Sequence, residues 1–143
     1  VLVAIETHSL DLHTLDGVRL AADLTVPSAP PGPRGAAVLC HPHPLYGGDR
    51  HHPLLTRLAD RLAAAGVATI RFDFRGGGES DGTHSRGVDE RLDVAAAIDT
   101  AAAATDGPIW VMGYSFGAAV TLDVADPRAA GWVAVAPPLA MLP

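Results

Sequence analysis

Five consecutive residues, Gly113-Tyr114-Ser115-Phe116-Gly117, carry the strongest chemical signal in the sequence. They form a G-x-S-x-G pattern between an apolar run, Ile109 to Met112, and a helix-forming stretch, Ala118 to Val124. A chain that passes from a buried strand into a helix at this point must reverse sharply. Glycines on both sides of the serine remove the side chains that would collide there. The serine hydroxyl is then presented at the carboxyl edge of a sheet, at the positive end of the following helix. The Phe116 N–H is placed there to stabilise an oxyanion. Such a serine attacks a carbonyl carbon and carries the acyl group covalently. At its free pKa it is a weak nucleophile, so it needs a base within hydrogen-bond reach.

The elements that must position this serine are legible as alternating patterns. Ile5 to His13 and Val18 to Thr25 roughly alternate polar and apolar residues around the turn signal Asp16-Gly17, which predicts an N-terminal hairpin over 1–26. Residues 27–35 hold Pro27, Pro30, Pro31 and Pro33 and read as a surface loop. Over 36–143 short apolar runs, Ala36 to Cys40, Val67 to Phe72, Ile109 to Met112 and Trp132 to Ala136, suit strands buried on both faces. Leu54, Leu55, Leu58 and Leu62 recur at helical spacing before Gly66, and Val88, Leu92, Ala95 and Ala96 share a face before Asp106-Gly107-Pro108. The expectation is one α/β domain, 1–143: a mostly parallel sheet of about six strands with helices on both faces.

Composition narrows the function classes. Hydrophobic residues make up 48% and charged residues 18%, a balance that folds rather than stays disordered. The formal charge of -6 offers no basic surface for a phosphate backbone, so nucleic acid is not an expected partner. No stretch approaches the roughly 18 uninterrupted apolar residues of a membrane span, and no basic-then-apolar leader opens the sequence. The expectation is a soluble, cytoplasmic protein with no membrane partner. The single Cys40, inside an apolar run, reads as a small buried side chain. Asp49, His51 and His52 make no metal site, because adjacent side chains point apart and no further ligands stand at suitable spacing. Gly76-Gly77-Gly78 lacks the G-K-[ST] ending of a phosphate loop and the spacing of a dinucleotide fingerprint, so no cofactor is expected.

Three segments stand in a telling order: the loop His41-Pro42-His43-Pro44-Leu45-Tyr46-Gly47-Gly48, the run Arg71 to Ser80 (RFDFRGGGES), and the GYSFG turn. With them, the stretch from Ala36 to Pro138 resembles small α/β-hydrolases related to the dienelactone hydrolase and CocE/NonD-like esterase groups. The resemblance implies an α/β-hydrolase fold and a serine esterase whose HPHP loop supplies the second oxyanion donor. Prolines cannot donate, which leaves the N–H groups of His43 and Leu45.

In that family an acid and then a histidine follow the serine. No histidine follows Ser115 here, and Asp123 and Asp126 belong to the helix after it or to that helix's end. The reading is therefore a truncated fold with an incomplete or non-standard triad. His43 is the favoured stand-in base and His84, in the loop after Phe74, the second; His41 is expected to hold its loop by hydrogen bonds. A base from another subunit is the remaining route. The expected activity is cleavage of small activated carboxylic esters through acyl-Ser115. The alternative is a catalytically incomplete domain with an assembly role. Either way the apolar run 132–136 forms an open sheet edge, which predicts a homodimer or higher homo-oligomer.

Overall fold

The computed structural model describes residues 4–141. Strands β1 (Ile5–His13) and β2 (Arg19–Pro27) form the leading antiparallel hairpin, and β3 (Gly35–Cys40), β4 (Val67–Phe72), β5 (Ile109–Tyr114) and β6 (Ala129–Val135) follow. They make one six-stranded mixed sheet in the order β1-β2-β4-β3-β5-β6. The pairs β4/β3, β3/β5 and β5/β6 are parallel, whereas β2 joins β4 antiparallel. The helices are α1 (Pro53–Ala64), α2 (Glu90–Ala104) and α3 (Phe116–Asp123).

Both faces of the sheet are covered, as the continuous apolar runs require. On one face α1 sets Leu55 and Ala59 against Ala37 and Leu39. On the other, Val94, Ile98 and Ala101 of α2 and Phe116 and Val120 of α3 pack over Val38, Ile70, Phe72 and Val111. Fully burying a phenylalanine such as Phe72, Phe74 or Phe116 stabilises the fold by about 1.5–3 kcal/mol each. Helix α1 starts at Pro53, where a missing N–H costs nothing, with His52 Nδ1 accepting the Leu54 N–H. It stops before Gly66, whose φ of 87° is left-handed.

Several element boundaries differ from the sequence expectation, most of all at β6 and α2. Strand β6 begins at Ala129 rather than Trp132, because Ala129 and Gly131 pair with Ile109 and Trp110 across a local register shift. An Ala-Ala-Gly run carries little strand propensity, so sequence alone places the start too late. Strand β6 ends at Val135, since Ala136 has a left-handed φ of 48°. Helix α2 buries Glu90, Asp93, Val94, Ala97 and Ile98, while Val88 stays exposed in the preceding loop. The apolar face read from Val88 is therefore rotated, because two acids occupy the buried side.

The order β4-β3-β5 fixes where a site can lie. From β3 the chain crosses to β4 on one side, and from β4 it returns past β3 to β5 on the other. Between β3 and β5 the topology reverses, which opens a crevice at the carboxyl ends of those two strands. No helix among the described residues is long and apolar enough to cross a membrane.

Candidate active site

Ser115 occupies that crevice edge, the single residue between β5 and α3. Its φ of 55° and ψ of -118° lie outside the regions an L-residue prefers. Packing holds it there. A side chain on Gly113 would meet the Gly117 backbone, and one on Gly117 would meet the carbonyl of Cys40. Helix α3 thus rests its first turn directly on the end of β3. The Ser115 N–H donates to the Val135 carbonyl at 2.9 Å, and the Ser115 carbonyl accepts from the Ala118 and Ala119 N–H groups. The serine side chain caps no helix hydrogen bond and the residue is half-buried, so Oγ is open to a reacting partner.

The HPHP loop leaves the neighbouring strand β3. His41 is fully buried, and both its ring nitrogens are used: Nδ1 donates to the Pro42 carbonyl at 2.5 Å, and Nε2 accepts the Phe74 N–H at 2.9 Å. Burial lowers its pKa, so it is a neutral strut joining this loop to the one after β4. That is the loop-holding role expected of it.

His43 begins a 3-10 helix, Pro44–Tyr46, and its Nδ1 accepts the Leu45 N–H at 3.2 Å. Two sequence expectations change with this bond. A backbone N–H can only donate, so Nδ1 of neutral His43 carries no proton and Nε2 must carry it. A ring in that tautomer has no free acceptor for the serine proton, which removes the reason for favouring His43 as the base. Leu45 spends its N–H on the same bond and so is not a free oxyanion donor. The hydrogen bonds among the described residues leave the N–H groups of His43 and Phe116 unused.

His84 faces this loop. Its ring lies 4.7 Å from that of His43 and 5.3 Å from that of Phe116. Its Nδ1 lies 3.7 Å from the carboxylate of Glu90, which is completely buried at the start of α2. Glu90 in turn accepts the Ser85 N–H at 3.0 Å, the Gly87 N–H at 2.8 Å and the Ser85 hydroxyl. No hydrogen bond among the described residues joins Ser115 Oγ to an imidazole. Nor does any group of three His, Cys, Asp or Glu among them have the arrangement of a metal site. Burial pushes the Cys40 thiol up to about 12, which makes it inert at neutral pH.

A buried ionic network that the sequence reading passes over braces the two loops. Asp73 accepts the Arg50 N–H at 2.7 Å, its guanidinium at 2.5 Å and the Glu79 N–H at 2.9 Å. Arg50 also donates to Asp23 at 3.1 Å, and the Arg71 guanidinium to the Arg50 carbonyl at 3.3 Å. Nearby, Arg75 is held by Asp93 of α2 and Asp16 of the hairpin turn. The legible signal was a charge between two phenylalanines: Asp73 sits between Phe72 and Phe74, where a charge survives only if paired.

Comparison with known proteins agrees with this geometry. The family model "Serine aminopeptidase, S33" matches residues 31–142. An uncharacterized protein of Rickettsia prowazekii is 33% identical over 122 residues, covering 82% of this chain and 49% of the relative. A monoacylglycerol lipase of Mycolicibacterium smegmatis is 33% identical over 109 residues, covering 73% and 36%. The chain thus spans half or less of the curated relatives it matches. Among solved structures, an α/β serine hydrolase homologue from Coxiella burnetii is 34% identical with a TM-score of 0.81, over 92% of this chain and 64% of that one. A Xanthomonas campestris protein, described as an α/β serine hydrolase without lid, is 31% identical with a TM-score of 0.73, over 85% and 56%. The likeness is established at the level of α/β serine hydrolases rather than of the dienelactone hydrolase or CocE/NonD-like groups. With the strained serine turn between β5 and α3 and this match over most of its length, the chain belongs to the serine aminopeptidase S33 family, in the α/β serine hydrolase fold.

Proposed function

We propose that this protein hydrolyses small carboxylic esters through an acyl-Ser115 intermediate. The observation that carries the reading is the conjunction at the crevice of a strained, open serine with two unused N–H groups, Phe116 and His43. Ser115 Oγ attacks the carbonyl carbon, and the resulting oxyanion is held by those two donors. The C–O bond to the alcohol breaks, and the alcohol leaves with a proton. Water then attacks the acyl-serine, releasing the carboxylic acid and restoring the hydroxyl. The mycobacterial relative is an ester hydrolase by name, and the lidless description of the Xanthomonas structure suits an open site for small substrates.

For the proton, the reading assigns His84. Glu90 behind Nδ1 favours the tautomer that leaves Nε2 as acceptor, and an imidazole backed by a buried acid is the arrangement a serine base needs. Transfer runs directly or through one water. The test is hydrolysis of para-nitrophenyl acetate. Ser115→Ala should abolish turnover above the uncatalysed rate, His84→Ala should lower it by about 10²-fold or more, and His43→Ala should do less. Turnover unchanged in Ser115→Ala would overturn the reading.

A further inference from the structure

Beside the serine turn, the 3-10 helix Pro44–Tyr46 and the 84–86 loop enclose an open cavity of about 460 Å³, lined by His43, Leu45, Tyr46, His84 and Arg86. Among the described residues no carboxylate lines it, although the chain carries 16 acidic residues against 10 basic ones. Most arginines are tied to carboxylates, Arg50, Arg75 and Arg128 among them. Arg86 has no ion-pair partner among the described residues.

The loop is built to hold Arg86 outward. Ser85 and Gly87 turn their N–H groups inward onto Glu90, and Arg86 between them takes a left-handed φ of 58°. Those bonds also satisfy the Glu90 charge, which lies behind His84 rather than in the cavity. The His84 side chain is only 9% exposed, and its Nδ1, facing Glu90, has no hydrogen-bond partner. His43, neutral because burial and the neighbouring His84 lower its pKa, brings a proton on Nε2.

We propose that this cavity is an anion subsite, and that the preferred substrates are esters carrying a second, free carboxylate a few bonds from the reacting carbonyl. The inference rests on the ester-hydrolase reading above. His43 connects the two sites: its side chain lines the cavity while its backbone N–H is one of the proposed oxyanion donors. A guanidinium receives a carboxylate through two parallel N–H bonds, which fixes orientation as well as charge. Loss of one such charged contact corresponds to roughly 10- to 100-fold in kcat/KM.

The experiment compares two esters of equal acyl length on the full chain, mono-para-nitrophenyl adipate and para-nitrophenyl hexanoate, with wild type and Arg86→Gln. Wild type should prefer the adipate monoester by about tenfold or more, and Arg86→Gln should lose that preference while keeping hexanoate turnover within about twofold. About 0.5 M NaCl should erode the preference of wild type, because the arginine is exposed. Equal kcat/KM for the two esters in wild type, or an unchanged preference in Arg86→Gln, would overturn the subsite. If neither ester is turned over, the hydrolase reading fails instead, and calorimetric titration with adipate itself decides the subsite. Binding lost in Arg86→Gln upholds it, and no binding to wild type overturns it.

Discussion

The backbone N–H of Ser115 donates to the Val135 carbonyl at 2.9 Å, so the strained residue that follows β5 is tied across to the end of β6. Its φ of 55° and ψ of -118° are then held from three sides: by this bond, by the first turn of α3, and by the packing of Gly117 on β3. Strain of this kind costs about 1–3 kcal/mol, whereas a glycine adopts the conformation freely but loses up to about 1 kcal/mol of chain entropy on folding. Ser115→Gly should therefore be more stable than Ser115→Ala by about 1 kcal/mol in urea unfolding. Equal midpoints for the two variants would mean that the turn stores no strain.

Gly117 makes the opposite prediction. Alanine is worth about 1 kcal/mol more than glycine inside a helix, so Gly117→Ala would stabilise α3 if space allowed. Its Cβ would instead fall against the backbone of Cys40 and His41, which cannot yield without moving the end of β3. Overpacking of this kind costs about 1–3 kcal/mol, so the variant should be net destabilised and should lose esterase activity with it. An alanine variant as stable as wild type would show that α3 does not rest on β3 as described.

Asp16 gives a prediction in pH. Hydrogen bonds from Arg75 and then Thr14 lower its carboxyl from 3.8 to about 2. A depressed acid contributes stability above its unfolded value and loses it as pH falls through the folded one. The melting-temperature difference between wild type and Asp16→Asn should thus be fully present above about pH 4.5 and should shrink toward pH 2. Asp93 works with the reverse sign: burial raises its carboxyl to about 6, so its own share of stability grows as pH falls below that value. Taking the difference between wild type and Asp16→Asn isolates Asp16 from this trend. A difference independent of pH from 6 to 2 would contradict the Arg75–Asp16 pairing.

Much of the fold was legible because its signals are local. Strands Ile5–His13 and Val67–Phe72 match their sequence bounds to the residue, since turn signals close them. The helical face of α2 was not legible, because Glu90 and Asp93 lie on the buried side and periodicity counts acids as solvent-facing. In the site, the strand-serine-helix turn could be read from glycines that only this geometry needs. The tautomer of His43 could not, because it depends on a 3-10 turn that returns the Leu45 N–H to the ring two residues earlier. Nor could the Glu90–His84 pair, whose members meet only because the 85–87 loop wraps the carboxylate.

The most direct measurement is covalent labelling of the intact chain by a fluorophosphonate, followed by mass spectrometry. A fluorophosphonate reports an activated serine hydroxyl whatever the natural ester, and so tests the turn independently of substrate choice. Wild type should take up a single label, on the peptide that contains Ser115, and Ser115→Ala should take up none. An unlabelled wild type, or a label that persists in Ser115→Ala, would contradict the assignment of Ser115 as the nucleophile.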